Sequence, residues 1–188
     1  MLPDKTQVIL GPPGTGKTST LLQLIENELD SGVSPDKIGF FTFTKRAVNE
    51  GMERAMHKFE LSKKDLPYFK TLHSLSFHQL GLNKEDVFER THLIELNEKL
   101  NIKLTGSQST EDGSIYSMTK DDRLMFIDNL ARMRKIPLED LWHEVEDAVN
   151  WYALDRFSRG YEAYKKSRRL YDYTDMLDFF LQRGYAPK

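Results

Sequence analysis

The segment Gly11–Thr18, with the sequence GPPGTGKT, constrains this chain more than any other feature. It fits the pattern GxxxxGK[ST] at every defined position, and it stands between a short apolar run and a helical pattern. The glycines let successive backbone N–H groups point inward at the start of a helix, where an anion is favoured. The segment therefore predicts a phosphate-binding loop between a buried strand at Val8–Leu10 and a following helix.

Two residues of this loop have specific expected roles in binding a nucleotide. Lys17 can reach the β- and γ-phosphates, and the Thr18 hydroxyl can bind Mg²⁺. Lys17 and Thr18 are therefore the candidate catalytic residues, Thr18 is the candidate metal ligand, and ATP with Mg²⁺ is the expected cofactor pair. The candidate nucleotide-binding residues are Gly11, Pro12, Gly14, Thr15, Gly16, Lys17, Thr18 and Ser19.

The order of strand and helix patterns predicts the α/β class. A β-prone run occupies Ile38–Phe43, a helical period covers Arg46–Phe59, and a third short strand is expected at Tyr68–Thr71. Strands that alternate with helices are typical of βαβ units and a parallel sheet. This part of the chain is therefore expected to form a parallel α/β layer.

The second half of the chain has a different character. Helical periods and loops dominate from Asn83 onward, with a helix start expected at Asn83–Asp86 and a capping box at Thr119 and Asp122. Leu138–Leu154 predicts at least one more helix. A polar loop is expected at 105–114, and 115–116 is a weak strand candidate. The pattern indicates a helical subdomain inserted into an α/β domain.

Composition excludes several classes of protein. The 188 residues are 39% hydrophobic and 30% charged, which is ordinary for a globular chain and unlike collagen or a disordered chain. No run approaches the roughly 20 apolar residues that span a bilayer. Cysteine is absent, which suits a reducing compartment such as the cytoplasm. The net charge of −2 means that any nucleic acid would have to bind through a local surface.

The segment from Phe41 to Ala55 (FTFTKRAVNEGMERA) resembles motif Ia of the UvrD/Rep-type superfamily 1 DNA helicases, which runs TFTNKAA followed by E-M and a basic residue. Lys45 stands where the family usually has Asn, and Gly51 separates Glu50 from Met52. The resemblance implies contact with single-stranded DNA through Phe43, Thr44, Lys45 and Arg46, which fits basic-plus-aromatic recognition. Alone, the same residues also fit a buried Phe43 before a solvated basic helix start.

Two further segments resemble the same family in the same order. Thr71–Leu75 (TLHSL) is similar to its motif Ib, TFHSL, and implies DNA contacts by Thr71 and His73, although His73 alone also fits an ordinary helix start. Tyr161–Leu177 is similar to the family segment YxxY, a spacer, then DFDDLL. Within it, Lys165–Arg169 could form a DNA-facing patch, and a solvated helix face is the favoured interpretation.

The resemblance covers nearly the whole chain and implies its organisation. The expected fold is an α/β P-loop NTPase (RecA-like) parallel sheet, incomplete, with an inserted, mostly α-helical subdomain. Residues 1–82 would form the first part of the motor domain, 83–160 the helical insertion, and 161–188 the return to the motor domain. The expected partners are single-stranded DNA, single/double-strand junctions and a second motor domain, and no membrane is expected.

The family continues after its DFDDLL segment into an apolar strand that ends Asp-Glu and holds Mg²⁺, and this chain stops at Lys188 before such a strand. The chain is therefore expected to be an N-terminal piece of a helicase, or a naturally short relative, and inactive alone. Leu124–Asp128 is an alternative acidic strand, disfavoured because helical spacing runs through it.

Two other classes of function stay open at the level of sequence. A small P-loop kinase acting on a nucleotide or metabolite would carry the same loop, with Arg123, Arg132 and Arg134 in a closing lid. A non-catalytic nucleotide- or DNA-binding module is the other. The kinase class does not explain why the three helicase-like segments occur in helicase order.

Overall fold

The computed structural model describes residues 6–12, 14–106, 119–145 and 149–184. The chain divides into two compact units, residues 1–75 and residues 76–188. Within the described ranges there are eight α-helices, and a small parallel sheet of two strands lies in the first unit. The α/β class predicted from the sequence is therefore found, with far more helix than sheet.

The first unit alternates helices and strands. Its strands are parallel and lie within two residues of their predicted bounds, and Thr42 pairs with Thr71 at their carboxyl ends. One further helix begins in this unit directly after the second strand and ends in the second unit. The elements are α1 (Lys17–Asp30), β1 (Phe40–Thr42), α2 (Lys45–Phe59), β2 (Phe69–Thr71) and α3 (Leu72–Gln79).

The core of the first unit brings α1 and α2 onto the sheet. Leu22 and Ile25 of α1 are buried in the same cluster as Ala55 of α2 and Phe69 of β2. The Phe69 ring stacks on the ring of Phe40, with 5.2 Å between their centroids. This packing fixes the start of α1, and with it the loop that precedes it, against the sheet.

Gly51 explains a departure from the motif Ia pattern. A Cβ atom at this position would lie 2.4 Å from the Phe40 ring, so α2 approaches β1 too closely for any side chain here. The glycine that separates Glu50 from Met52 is therefore a packing residue of the helix–sheet contact.

The strand predicted at Val8–Leu10 is wrong. Residues 6–10 have neither strand nor helix, and the side chains of Val8 and Leu10 are 64% and 88% exposed. An apolar run becomes a strand only where a neighbour supplies backbone hydrogen bonds, and among the described residues β1 and β2 pair only with each other. The run is instead an irregular segment that leads into the loop Gly11–Thr18.

The described residues of the second unit form helices joined by turns and irregular segments. Three of its helices have side-chain caps at their N-termini, given by Thr119, Asn150 and Asp172. The capping box predicted at Thr119 and Asp122 is confirmed, with the Asp122 N–H donating to the Thr119 hydroxyl at 3.1 Å. The helices are α4 (Arg90–Leu100), α5 (Lys120–Arg134), α6 (Leu138–Glu144), α7 (Trp151–Arg168) and α8 (Tyr173–Arg183).

The core of the second unit forms chiefly between α5 and α7. Leu96, Ile127, Leu141 and Leu154 are fully buried there, and Phe157 almost fully. The alternative acidic strand at Leu124–Asp128 is wrong, because these residues lie within α5 and turn Leu124 and Ile127 into this core. A short apolar run alone fits a strand or a helix, and here the helical spacing of the residues on both sides of it indicated the helix that the structure has.

Two other predictions are modified by the structure. The helix start predicted at Asn83–Asp86 is a single 3-10 turn, after which Val87 forms a parallel bridge with Tyr171 and α4 begins at Arg90. The predicted helix over 138–154 is divided between α6 and α7. The strand candidate at 115–116 and most of the predicted polar loop lie outside the described residues.

Helix α7 runs without a break through the predicted boundary between residues 160 and 161. The residues that follow it are grouped with the helices of the second unit. The division of the chain into 1–82, 83–160 and 161–188 remains a prediction about the organisation of the protein.

Candidate functional site

The loop Gly11–Thr18 has a backbone that only glycine adopts easily at two positions. Gly14 and Gly16 have φ angles of +80° and +81°, in the left-handed region where a Cβ atom is strained. Gly16 is the residue directly before α1, so this turn delivers the chain into the first helical residue, Lys17. The N-terminus of a fourteen-residue helix thus follows the glycine-rich loop, which is the arrangement that favours an anion.

Side chains of the loop bond to its own backbone. Lys17 donates from Nζ to the carbonyl oxygens of Gly11 at 2.6 Å and Pro12 at 2.7 Å, and the Thr15 hydroxyl donates to the Pro12 carbonyl at 2.8 Å. A Cβ atom on Gly11 would lie 2.6 Å from the Thr15 hydroxyl oxygen. These contacts hold the ammonium group of Lys17 over the loop.

A cavity of about 370 Å³ opens beside Lys17 and Thr18. Its wall is mostly apolar, and its polar groups come from α1, β1, α2 and the segment before the loop. The lining residues are Gln7, Ile9, Lys17, Thr18, Leu21, Phe40, Thr42, Ala47, Glu50 and Gly51. A mostly apolar concavity with a few convergent polar groups is the usual form of a small-ligand site.

The donors at this cavity fit a magnesium ion that arrives with a nucleotide. Thr18 offers a hydroxyl oxygen, and Mg²⁺ commonly takes one or two protein oxygens with the remaining ligands from phosphates and water. In the part of the chain that the structure describes, no three His, Asp or Glu residues group into a metal site of their own. Thr18 is therefore the residue of this cavity whose hydroxyl would hold the ion, with phosphates and water as further ligands.

The parallel register brings the two DNA-candidate segments to one edge of the sheet. Thr42 and Thr71 are partners at the carboxyl ends of β1 and β2, so the residues after each strand leave the sheet side by side. Phe43 is 76% exposed, which makes the alternative of a buried Phe43 wrong. Lys45 and Arg46 are also exposed at the start of α2, and no ion pair joins either to a described residue.

Thr44 and Thr71 have structural bonds in addition to their predicted role. The Thr44 hydroxyl accepts the Ala47 N–H at 3.1 Å and caps α2, and the Thr71 hydroxyl accepts the Ser74 N–H at 3.1 Å in the first turn of α3. His73 is half-buried in that same turn, and burial lowers its pKa. The geometry places all three at the edge where Phe43 is exposed.

The basic cluster Lys165–Arg169 does not form one surface. Lys165 is buried, with 7% of its side chain exposed, and bonds to Asp172 and Asp175. The solvated-face interpretation is therefore wrong for Lys165, and it holds for Lys166 and Arg169, which are exposed. Arg168 pairs with Glu95.

Two of the three arginines proposed for a kinase lid are engaged elsewhere. Arg132 bonds to Asp128, Asp172 and Asp175, and Arg134 pairs with Glu144 at 2.6 Å. Both lie on α5 within the helical unit, so the structure gives a closing lid no support from these residues.

Three polar residues of the cavity were missed as site residues. Gln7, Thr42 and Glu50 line it, and Glu50 pairs with Arg54 at 2.6 Å one turn along α2. Thr42 and Glu50 stand in the motif Ia segment, where the resemblance pointed to DNA. Their position at the cavity could be found only from the way α2 crosses the sheet, which the sequence pattern does not encode.

A glycine-rich loop with the sequence GPPGTGKT that leads into a helix, beside parallel strands, is typical of an α/β protein of the P-loop class. Residues 1–183 match the sequence model of the UvrD/REP helicase N-terminal domain, and the chain belongs to this family. The suspected resemblance is thereby confirmed. No curated protein matches the chain closely enough to be compared with it.

Membership of this family indicates an ATP-dependent helicase in the intact protein. Helicases of this type use ATP and Mg²⁺ and act on DNA. Among the described residues, no helix is long and apolar enough to cross a membrane.

Proposed function

We propose that this chain is the ATP-binding N-terminal portion of a DNA helicase that translocates on single-stranded DNA and unwinds duplex. The observation that carries the proposal is the cavity beside Lys17 and Thr18, at the end of a glycine-rich loop, in a chain of the UvrD/REP family. Such an enzyme would act on DNA in the cytoplasm, and the absence of cysteine is in keeping with a reducing compartment.

The nucleotide would bind with its phosphates over the loop Gly11–Thr18. Backbone N–H groups at the start of α1 and the ammonium group of Lys17 would neutralise phosphate charge, and Lys17 would exchange its two carbonyl partners for phosphate oxygens. Thr18 would hold the Mg²⁺ ion, which supplies charge neutralisation at the phosphates when bound. The other loop residues, with Ser19 in the first turn of α1, would shape the phosphate site.

Single-stranded DNA would bind at the sheet edge that carries Phe43. An exposed aromatic ring followed by Lys45 and Arg46 combines base stacking with phosphate contacts, which is the chemistry of sequence-independent strand binding. Thr44, Thr71 and His73 would contribute from the two capped turns at the same edge. Binding to this surface would be tolerant of base sequence and steeply dependent on salt.

The 188-residue chain alone is proposed to bind ATP with little turnover. Hydrolysis needs a positioned water and charge stabilisation at the γ-phosphate, and an arginine finger alone contributes about 10³–10⁵ in rate. Glu50 is the carboxylate among the lining residues of the cavity, and it is paired with Arg54. A second motor domain, the expected partner, would supply the finger, and single/double-strand junctions would be the substrate.

Fluorescence anisotropy with a labelled single strand tests the DNA part of the proposal. The double variant Lys45→Gln/Arg46→Gln should weaken binding. The slope of log K against log salt concentration should become less steep by about 1.4, which is about 0.7 for each phosphate that the variant no longer neutralises. The matched control is Lys63→Gln/Lys64→Gln, which removes the same charge from an exposed 3-10 turn of the same unit. Equal weakening by both pairs would show that only net charge matters and would contradict the assignment of this edge.

A further inference from the structure

A cluster of ion pairs joins three helices of the second unit. We call it the α8 ion cluster, and it consists of Asp128 and Arg132 of α5, Lys165 of α7, and Asp172 and Asp175 at the start of α8, with the hydroxyl of Tyr161. Arg132 donates to Asp172 at 2.6 Å and to Asp175 at 2.9 Å. Lys165 donates to the same two carboxylates at 2.7 Å and 2.5 Å. Every charge in the cluster has a partner of opposite sign.

The cluster is largely shielded from water. The side chains of Lys165 and Asp172 are 7% and 11% exposed, and the Tyr161 hydroxyl donates to Asp172 at 2.8 Å. The Lys165 ammonium group also lies 4.5 Å from the centroid of the Tyr161 ring. Removing one charge from such a buried set leaves its partners uncompensated, which is strongly destabilising at that place.

The folding of α8 is coupled to this cluster by charge. Three carboxylates face two cations, so one negative charge is in excess. Asp172 and Asp175 form the N-terminal capping box of α8, with the Asp175 N–H donating to Asp172 at 2.8 Å and the Asp172 N–H donating to Asp175 at 3.0 Å. The positive end of the α8 dipole therefore balances the excess charge, and only while α8 is helical.

Apolar packing holds α8 only weakly. Met176 is the buried residue of this helix, whereas Leu181 is 69% exposed. The other contacts of α8 with described residues include the ion pair of Lys135 with Asp178 and the edge-on contact of Phe179 with Tyr171. By contrast, α7 buries Leu154, Phe157, Tyr161 and Tyr164 in addition to Lys165.

The chain before α8 is fixed independently of the cluster. Leu170 is buried in the core, the Tyr171 N–H donates to the Asp86 carbonyl at 2.7 Å, and the Phe88 N–H donates to the Tyr171 carbonyl at 2.9 Å. These bonds end one residue before Asp172. The backbone dihedral angles of Asp172 can therefore act as a hinge while the rest of the unit stays folded.

From these observations we infer that the α8 ion cluster is a latch that sets whether α8 is docked and helical. With Lys165 and Arg132 in place, α8 lies against α5 and α7. When either cation is removed, the carboxylates at the start of α8 repel each other, and α8 undocks and unwinds as one unit from the hinge at Asp172. The helices α4, α5 and α7 remain packed through their own apolar core.

Amide hydrogen exchange by mass spectrometry, on the full 188-residue chain, tests this inference. In Lys165→Met, peptides within 173–183 should exchange at least about tenfold faster than in the parent chain, with α4, α5 and α7 unchanged. The matched control is Arg168→Met, which removes the same charge from the same helix but pairs with Glu95 instead of α8. In that variant α8 should keep its protection.

Two results would overturn the latch. Unchanged exchange in α8 would show that its docking does not depend on the cluster, and equal acceleration in all helices would make the cluster a global stabiliser. Arg132→Met, which removes the other cation of the cluster at a side chain that is 25% exposed, gives a second reading if Lys165→Met does not fold. The same two results in Arg132→Met would count against the inference in the same way.

Discussion

At the scale of single residues, the loop Gly11–Thr18 shows what a motif encodes. The pattern of glycines predicts a backbone that curls before α1, and the left-handed φ angles of Gly14 and Gly16 account for two of those glycines. The bonds from Lys17 to the Gly11 and Pro12 carbonyls are a property of the folded loop that the pattern does not state. Local backbone chemistry was predictable here because it depends on neighbours in sequence.

Replacing Gly16 by alanine should weaken ATP binding by about tenfold. An L-residue in the left-handed region costs about 1–2 kcal/mol, and nothing lies within 4 Å of the added Cβ, so the strain falls on the loop backbone. Isothermal titration calorimetry measures the effect. Gly32→Ala is the matched control, since Gly32 has a φ of +89° at the other end of α1. If Gly32→Ala lowered the affinity equally, the loss would come from general destabilisation.

At the scale of secondary structure, predictions succeeded where the determining contacts are local. The capping box of α5 and the bounds of α2 follow from neighbours within one or two turns. The strands β1 and β2 were also predicted, and each supplies the other's pairing partner. Val8–Leu10 failed because a strand needs a partner that its own sequence cannot specify. The helix predicted to start at Asn83–Asp86 is limited to the turn Lys84–Asp86, because the next residue, Val87, forms a bridge with Tyr171, which is far away in sequence.

Thr119→Ala should reduce the free energy of unfolding by about 1–2 kcal/mol. Its hydroxyl accepts the Asp122 N–H and donates to the Asp122 carboxylate at 2.7 Å, so the substitution leaves both groups of a buried residue short of a partner. Urea unfolding followed by circular dichroism measures the loss. Thr91→Ala, at an exposed position inside α4, should change the midpoint little. Equal urea midpoints for the two variants would contradict the claim that the Thr119 cap stabilises the fold.

At the scale of the whole molecule, the two units differ in how predictable their chemistry was. The first unit holds the loop, which the motif predicted, and the edge proposed to bind DNA, which the resemblance implied. The second unit holds the α8 ion cluster, whose members come from three helices that the sequence separates by 47 positions between Asp128 and Asp175. Lys165 was grouped with its basic neighbours because its partners become visible only in the folded chain.

The second unit should lose stability in acid through Asp172. Burial raises the pKa of this carboxyl. The hydrogen bond from Arg132 and the charges of Lys165 and Arg132 together lower the pKa by more than burial raises it, so it lies well below the usual range. A lowered carboxyl pKa gives stability that is present above the unfolded value, about 3.9, and is lost as pH falls below it. The other groups that face the Asp172 carboxylate are the carboxylates of Asp128 and Asp175 and the hydroxyl of Tyr161.

Urea unfolding of the parent chain at pH 7 and near pH 3 measures this contribution. Asp172→Asn should be less stable at pH 7 and should lose less stability between the two pH values than the parent. Asp36→Asn, at an exposed position of the first unit, is the control and should keep the acid dependence of the parent. If Asp172→Asn lost as much stability between pH 7 and pH 3 as the parent chain, the loss in acid would come from other carboxylates.

The central claim is that the loop Gly11–Thr18 binds the phosphates of ATP through Lys17, and calorimetric titration of Mg-ATP tests it most directly. Lys17→Ala removes a charge-assisted contact worth roughly 2 kcal/mol, so the affinity should fall about 30-fold with the circular dichroism spectrum unchanged. Lys63→Ala, in an exposed turn of the same unit, should bind as the parent does. Equal affinity of Lys17→Ala and the parent chain, with both folded, would contradict the account.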